Sequence, residues 1–225
     1  MGIAIRIDGA NFSDKNLGTV TIEELAVDSY REYVEFNGDA YVDTGFTGYR
    51  NITSDIAGTK PTDAPKILIK ANILATETNG ALFGSLTRSR ILCYKNYANT
   101  LVLQGKGAVG SFKLSNEIFT LEYGSIKTYI NSELVKDNTD MSNQYRLNAY
   151  DENIILGACY ANLGGNENLK YGKVRIYEFK AYQGEDLVKD LRPFRRADGT
   201  VCFKNEMNGS FILPGEGTLI AGPSL

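Results

Sequence analysis

Residues 66–75, KILIKANILA, put Ile67, Ile69, Ala71 and Ile73 on one side of an extended chain and Lys66, Leu68, Lys70 and Asn72 on the other. That alternation has period two, the side-chain repeat of a strand with one buried face. Leu68 is the apolar exception on the polar side. Similar short runs recur: ALFGSL (81–86), RILCYKN (90–96), TLVLQG (100–105), NIILGACYA (153–161), GTVCF and GSFIL. NEIFTLEYGSIKTYINSELV (116–135) is expected to turn back at Tyr123-Gly124-Ser125. In YGKVRIYEFKAYQGEDLVKDLRPF (171–194), Val174, Ile176 and Glu178 alternate with Arg175, Tyr177 and Phe179, so both faces carry apolar side chains, as in mid-sandwich. The chain has 23 Gly and 14 Tyr against 5 Pro, a balance that suits strands joined by tight turns. No long amphipathic helix stands out. The prediction is an all-β, antiparallel two-sheet sandwich, within reach of one domain at 225 residues. Its expected core includes Ile67, Ile69, Ile73, Phe83, Leu103, Ile155, Ile176 and Phe211.

Residues 33–45, YVEFNGDAYVDTG, read as a hairpin. Asn37-Gly38 supplies the left-handed backbone of a tight turn, Tyr33 and Tyr41 form an aromatic pair across it, and Gly45 ends the second strand. An irregular, Gly-, Thr-, Asp- and Pro-rich segment follows over 46–65. Ahead of all this, IAIRI (3–7) and GTVTI (18–22) suggest a short N-terminal β-hairpin, so the chain divides into residues 1–28 and a main domain, 29–225. A lone hairpin is marginal in water. Ile3, Ile5, Ile7, Val20 and Ile22 therefore need a covering surface, and the polar stretch 23–32 favours an intermolecular one: another copy of the chain or a different assembly protein.

Composition excludes several chemistries. Histidine is absent, which removes Ser-His-Asp and Cys-His nucleophile pairs and imidazole zinc sites. Cys93, Cys159 and Cys202 lie too far apart for metal-ligand spacing and read as buried, reduced hydrophobes. A net charge of −3 gives no reason to expect nucleic acid, and Arg192, Arg195 and Arg196 around Phe194 read as surface ion pairs or a subunit contact. No apolar run approaches the ~20 residues of a membrane span. The first apolar stretch already holds Arg6 and Asp8, so no signal peptide is expected and synthesis is placed in a bacterial cytoplasm. No cofactor is expected. The acidic turns DNTD (137–140) and DEN (151–153) match no calcium loop, and Glu117 and Glu122, an odd number apart, would face opposite sides of a strand. Sugar binding uses aromatic faces beside amide and carboxylate hydrogen bonds. Two strand ends offer them, CYKNYANT with Tyr94, Asn96, Tyr97 and Asn99, and CYANLGGNEN with Tyr160, Asn162 and Asn166.

The 33–45 segment resembles the opening Tyr-Ile-Glu-x-x-Gly-x-x-Tyr-Ile-Asp-Thr-Gly of concanavalin A-like, laminin G-like jelly rolls in bacteriophage and prophage structural proteins, through Tyr33, Val34, Glu35, Gly38, Tyr41, Val42, Asp43, Thr44 and Gly45. NGALFGSL (79–86), the closing segment 172–211 and GEGTLIAGP (215–223) are similar to later stretches of that family, and IDGANFSDKNLGTV to a leader seen in Bacteroidetes-type members. The resemblance covers roughly 30–223, with specific ends and a weak middle. It implies a jelly-roll fold and, as expectation, a non-enzymatic virion structural or adhesion protein that is attached through residues 1–28 and displays a module toward host glycan. A free bacterial lectin-like module and a degenerate glycosidase are the alternatives. The resemblance also makes Asp39 and Asp43 candidates for a calcium site, as in some related lectins. Fold alone does not choose among these.

Overall fold

A computed structural model describes residues 27–47, 65–74, 80–86, 92–95, 100–104, 110–114, 117–124, 127–137, 152–163 and 166–225. The first strands are β1 (Ser29–Tyr30), β2 (Val34–Asn37), β3 (Tyr41–Thr47), β4 (Pro65–Ile73), β5 (Gly80–Gly84), β6 (Leu92–Lys95) and β7 (Thr100–Gln104). Next come β8 (Gly110–Lys113), β9 (Ile118–Gly124), β10 (Lys127–Ile130), β11 (Glu133–Asp137), β12 (Asn153–Leu156), β13 (Ala158–Leu163) and β14 (Asn166–Tyr171). The chain closes with β15 (Lys173–Gln183), β16 (Asp186–Arg195), β17 (Val201–Asn205), β18 (Phe211–Ile212), β19 (Pro214–Glu216) and β20 (Leu219–Ala221). The expected all-β, two-sheet antiparallel sandwich is what forms. An 11-stranded sheet runs β11-β10-β9-β4-β15-β16-β17-β18, with β1 on β16 and β2 between β15 and β20. A 7-stranded sheet runs β19-β3-β12-β5-β6-β7-β8, and β13-β14 make a separate two-stranded ribbon.

The alternation read from the sequence sets which face each strand buries. Ile67, Ile69, Ala71 and Ile73 of β4 are buried beside Phe119 and Leu121 of β9 and Val174 and Ile176 of β15. The smaller sheet answers with Val42, Phe46, Leu82, Phe83, Cys93, Leu101, Leu103 and Leu156 in the same cluster. Phe83 and Tyr123 meet between the layers, ring centres 5.9 Å apart. Burying one Leu, Ile or Phe side chain contributes about 1.5–3 kcal/mol, so this layer dominates the stability of the fold.

Several expectations change. The 33–45 segment is not a hairpin. β2 pairs with β15 and β20 in the larger sheet, and β3 pairs with β12 and β19 in the smaller one. Gly38 does have a left-handed backbone, φ 92°, but it turns the chain from one sheet to the other. The tyrosine pair goes with it: Tyr33 packs on Tyr177, ring centres 5.5 Å apart, while Tyr41 lies in the other layer. Gly45 (φ 62°) does not end β3, which runs on to Thr47. It sits at a bulge where Thr47 and Asp43 face Asn153 and Ile155. The bulge is built by its neighbours: Gly45 N donates to Asp43 Oδ1 (2.8 Å), and buried Thr44 donates from Oγ1 to Ile154 O (2.7 Å) while accepting from Phe46 N (3.1 Å). Asp-Thr-Gly is thus a folding device here.

β15 carries a second bulge, between Ile176 and Glu178 in its pairing with β4. Tyr177 and Glu178 both face out and Phe179 returns to the core, so strict alternation across this stretch misplaced Glu178 and Phe179. Phe211, expected in the core, is 39% exposed. Register explains it: Ile212 pairs with core residue Phe203, whereas Phe211 pairs with outward Lys204 and packs on Phe194, ring centres 5.3 Å apart. Ile3, Ile5, Ile7, Val20 and Ile22 lie outside the described residues.

The β13–β14 ribbon lies against the outside of β5. Gly157 N donates to Leu82 O (2.9 Å) and Tyr160 N to Ser85 O (3.0 Å), while Gly172 N donates to Gly157 O (2.7 Å) and closes the base of the ribbon. This double cover is why all five residues of β5 are buried. Cys93, Cys159 and Cys202 are free and buried. Burial pushes the Cys159 thiol up to about 12 from 9.0, and the Cys93 thiol is also driven well above its ordinary value by burial. A raised folded-state pKa contributes stability that is intact below about pH 9 and is lost as pH rises through about 12. The urea midpoint is therefore expected to hold from pH 7 to 8.5 and to fall steadily above pH 9. A midpoint flat to pH 11 would contradict this.

Candidate functional site

The outward face of the larger sheet holds a depression of about 330 Å³ lined by Leu68, Thr120, Glu122, Tyr129 and Ser132. Strand register assembles it. Leu68 of β4 is opposite Glu122 of β9, Glu122 is opposite Tyr129 of β10, and Tyr129 is opposite Leu134 of β11. These four side chains form one row across four strands, and Thr120 lies in the next row, opposite Lys70. Leu68, Glu122, Thr120 and Tyr129 alternate with the core residues Ile67, Leu121 and Ile130, so the layer that stabilises the fold also fixes most of the row. Leu68 is the apolar exception on the polar side of KILIKANILA, and it contributes an apolar wall to the depression. On one side Lys66 Nζ stands 3.8 Å from Glu122 and 3.9 Å from Glu185, over the Tyr182 ring at 4.8 Å.

The β10–β11 turn completes the wall. Asn131 and Ser132 both have left-handed backbones, φ 51° and 67°. That is the geometry of a two-residue hairpin turn of the type that favours Asn-Gly. Asn131 suits it and is clamped to β9: Thr120 N donates to Asn131 Oδ1 (2.9 Å) and Asn131 N donates to Thr120 O (2.8 Å). Ser132 stands where glycine would be unstrained. A left-handed L-residue costs about 1–2 kcal/mol, against roughly 0.5–1 kcal/mol for the extra unfolded-chain freedom of glycine. Ser132→Gly is thus expected to raise the melting temperature by one to a few degrees, read by calorimetry. A lower melting temperature would show that the serine side chain stabilises the turn.

Elsewhere this face carries several charge pairs among the described residues. Arg175 Nε binds Glu35 at 2.7 Å, Glu178 takes Lys180 at 2.7 Å and Arg192 at 2.8 Å, and Arg192 also holds Asp190 at 2.8 Å. Arg196 pairs with Asp198 at 3.2 Å, so two of the three arginines of LRPFRR are in ion pairs. Such half-exposed pairs are worth little individually.

The residues chosen from sequence lie elsewhere. Tyr94 of β6 is half-buried and packs against Ala81 and Cys159 on the outside of the smaller sheet. Because Cys159 precedes Tyr160 on β13, the fold does bring the two Cys-Tyr strand ends side by side. Tyr160 is half-buried, and Asn162 is paired along the backbone with Glu167. Asn96, Tyr97 and Asn99 are outside the described residues. Both carboxylate oxygens of Asp43 are engaged, Oδ1 by Gly45 N and Oδ2 by Asn153 Nδ2 at 3.1 Å, and Thr47 donates to the same Asn153 at 2.8 Å. Among the described residues no three His, Cys, Asp or Glu side chains gather in a metal-holding group. Sequence reading missed Tyr129, Thr120 and Ser132, which become neighbours only through the β9–β10–β11 register.

Neither a protein-family model nor a curated protein sequence matches the chain. Among solved structures, the CBM40 domain of a Ruminococcus gnavus IT-sialidase aligns at 14% identity and a TM-score of 0.46, over 73% of this chain and 95% of that one. A Bacteroides ovatus protein proposed to bind carbohydrate aligns at 12% identity and a TM-score of 0.48, over 88% of this chain and 61% of its own. A heptameric SAP-like pentraxin of Limulus polyphemus aligns at 11% identity and a TM-score of 0.40, over 90% of this chain and 97% of that one. Likenesses this remote leave the ligand to be argued from the residues of this chain.

Proposed function

We propose that the chain is a glycan-binding module whose sugar sits in the depression on the larger sheet, against Tyr129. The observation that carries this reading is the make-up of the wall: one phenol ring and one leucine beside one carboxylate and two hydroxyls, all but Ser132 on paired strands. A sugar ring has an apolar C–H face and a rim of hydroxyls. Tyr129 and Leu68 suit the first; Glu122, Thr120 and Ser132 suit the second. A wall fixed by a packed sheet loses little entropy on binding. Glycoside hydrolysis needs two carboxylates flanking the bond, and among the described residues this wall contains one, which favours binding over catalysis. Tyr94 on the smaller sheet and Tyr160 on the β13–β14 ribbon form the rival location. Display on a phage or prophage particle, with residues 1–28 as the attachment segment, rests on the sequence resemblance alone.

The test is a glycan array probed with the purified chain, followed by calorimetric titration of the best ligand. Saturable binding that survives Tyr94→Ala is the expected result. Silence across the array, or binding lost with Tyr94→Ala in a folded variant, contradicts the assignment.

A further inference from the structure

We infer that the depression selects neutral saccharides presenting two adjacent hydroxyls and rejects acidic ones; this rests on the glycan-binding reading above. Among the described residues, Glu122 is the one charged side chain lining the wall. An ionised carboxylate only accepts hydrogen bonds, and its two oxygens match a pair of neighbouring sugar O–H donors. Thr120 and Ser132 add hydroxyls able to donate or accept, which suits the remaining ring oxygens.

The described cations beside the wall are each drawn toward another group. Lys66 is divided between Glu122 at 3.8 Å and Glu185 at 3.9 Å. Lys180, opposite Leu68 across β4 and β15, is held by Glu178 at 2.7 Å. Lys70, opposite Thr120, lies 5.6 Å from the centre of the Tyr177 ring. A sugar carboxylate entering the depression therefore meets a like charge, and among the described residues that line the wall there is no guanidinium or ammonium to pair with it. Juxtaposed like charges are a means of rejecting a competing ligand.

Ser132 supports the use of this wall for a hydroxyl-bearing ligand from a different observation. Its left-handed φ of 67° is a position where glycine costs less, yet the side chain present carries a hydroxyl into the wall. Strain kept at a ligand-facing position points to use of that side chain.

The test titrates matched neutral and acidic sugars, galactose with galacturonic acid, glucose with glucuronic acid, mannose with mannuronic acid and lactose with 3′-sialyllactose, into the full chain by NMR. In every pair with measurable binding, the neutral member is expected to bind at least tenfold tighter. Glu122→Gln should narrow that gap below threefold, and Ser132→Gly should weaken the neutral sugar several-fold while the protein melts no lower. An acidic member that binds equally or better, or a gap unchanged in Glu122→Gln, overturns the inference and leaves the glycan reading standing. No binding by any of the eight sugars, nor by any array glycan, overturns both.

Discussion

Tyr129→Ala is expected to weaken saccharide binding about 30-fold, the loss of roughly 2 kcal/mol that follows truncation of a central aromatic contact. The ring is an inner member of the row Leu134–Tyr129–Glu122–Leu68, and its removal leaves the sugar without an aromatic face on which to stack. Tyr129 is half-buried and faces away from the core, so the melting temperature should drop by no more than a few degrees. Tyr129→Phe separates the two functions of the side chain. It should retain most of the affinity if stacking dominates, and should behave like alanine only if the phenol hydroxyl is the contact. Calorimetric titration of both variants against one array-selected glycan decides this.

Gly172→Ala should have the larger effect on stability. The chain passes from β14 to β15 against the backbone of β5, and a Cβ built on Gly172 overlaps the Ala81 carbonyl oxygen and stands 2.7 Å from the Ala81 nitrogen. Backbone cannot rotate aside as a side chain can. Overpacking of this kind costs about 3 kcal/mol or more, which lowers the melting temperature of a chain this size by roughly 6–12 °C. Gly199 provides the control. It has a left-handed backbone, φ 88°, with nothing within 4 Å of a built Cβ. Gly199→Ala therefore incurs only the conformational penalty, about 1–2 kcal/mol. If the two alanine variants melt together, the close approach of the ribbon to β5 is not what Gly172 secures.

Period-two segments were legible from sequence because burial of one face is a local pattern: Ile67, Ile69, Ala71 and Ile73 are buried as the alternation requires. Segment 33–45 was misread because Asn-Gly serves equally in a hairpin and at a corner between sheets. The choice is made by distant partners: Val34 pairs with Ile176 and Ala221, far along the chain, and Val42 with Leu156 and Pro214. The bulge at Tyr177 and the parity of Phe211 were hidden for a related reason, since one extra residue reverses every following face and only the partner strand fixes where it falls. As for the site, Leu68 was visible as an anomaly without a meaning. Glu122 was considered only as half of a catalytic pair, and the neighbourhood of Tyr129, Thr120 and Ser132 exists only in the register of three strands.

A sugar bound on the outer face of the larger sheet at Tyr129 perturbs the amides of the strands beneath it. The measurement that tests this placement most directly is backbone amide chemical-shift mapping of the isotope-labelled chain during titration with the best array glycan. The expected result is saturable shifts concentrated in residues 66–70, 118–122 and 129–134, with the Tyr94 and Tyr160 amides unmoved. Shifts centred on Tyr94 and Tyr160, or no saturable shift with any array-positive glycan, would contradict the account.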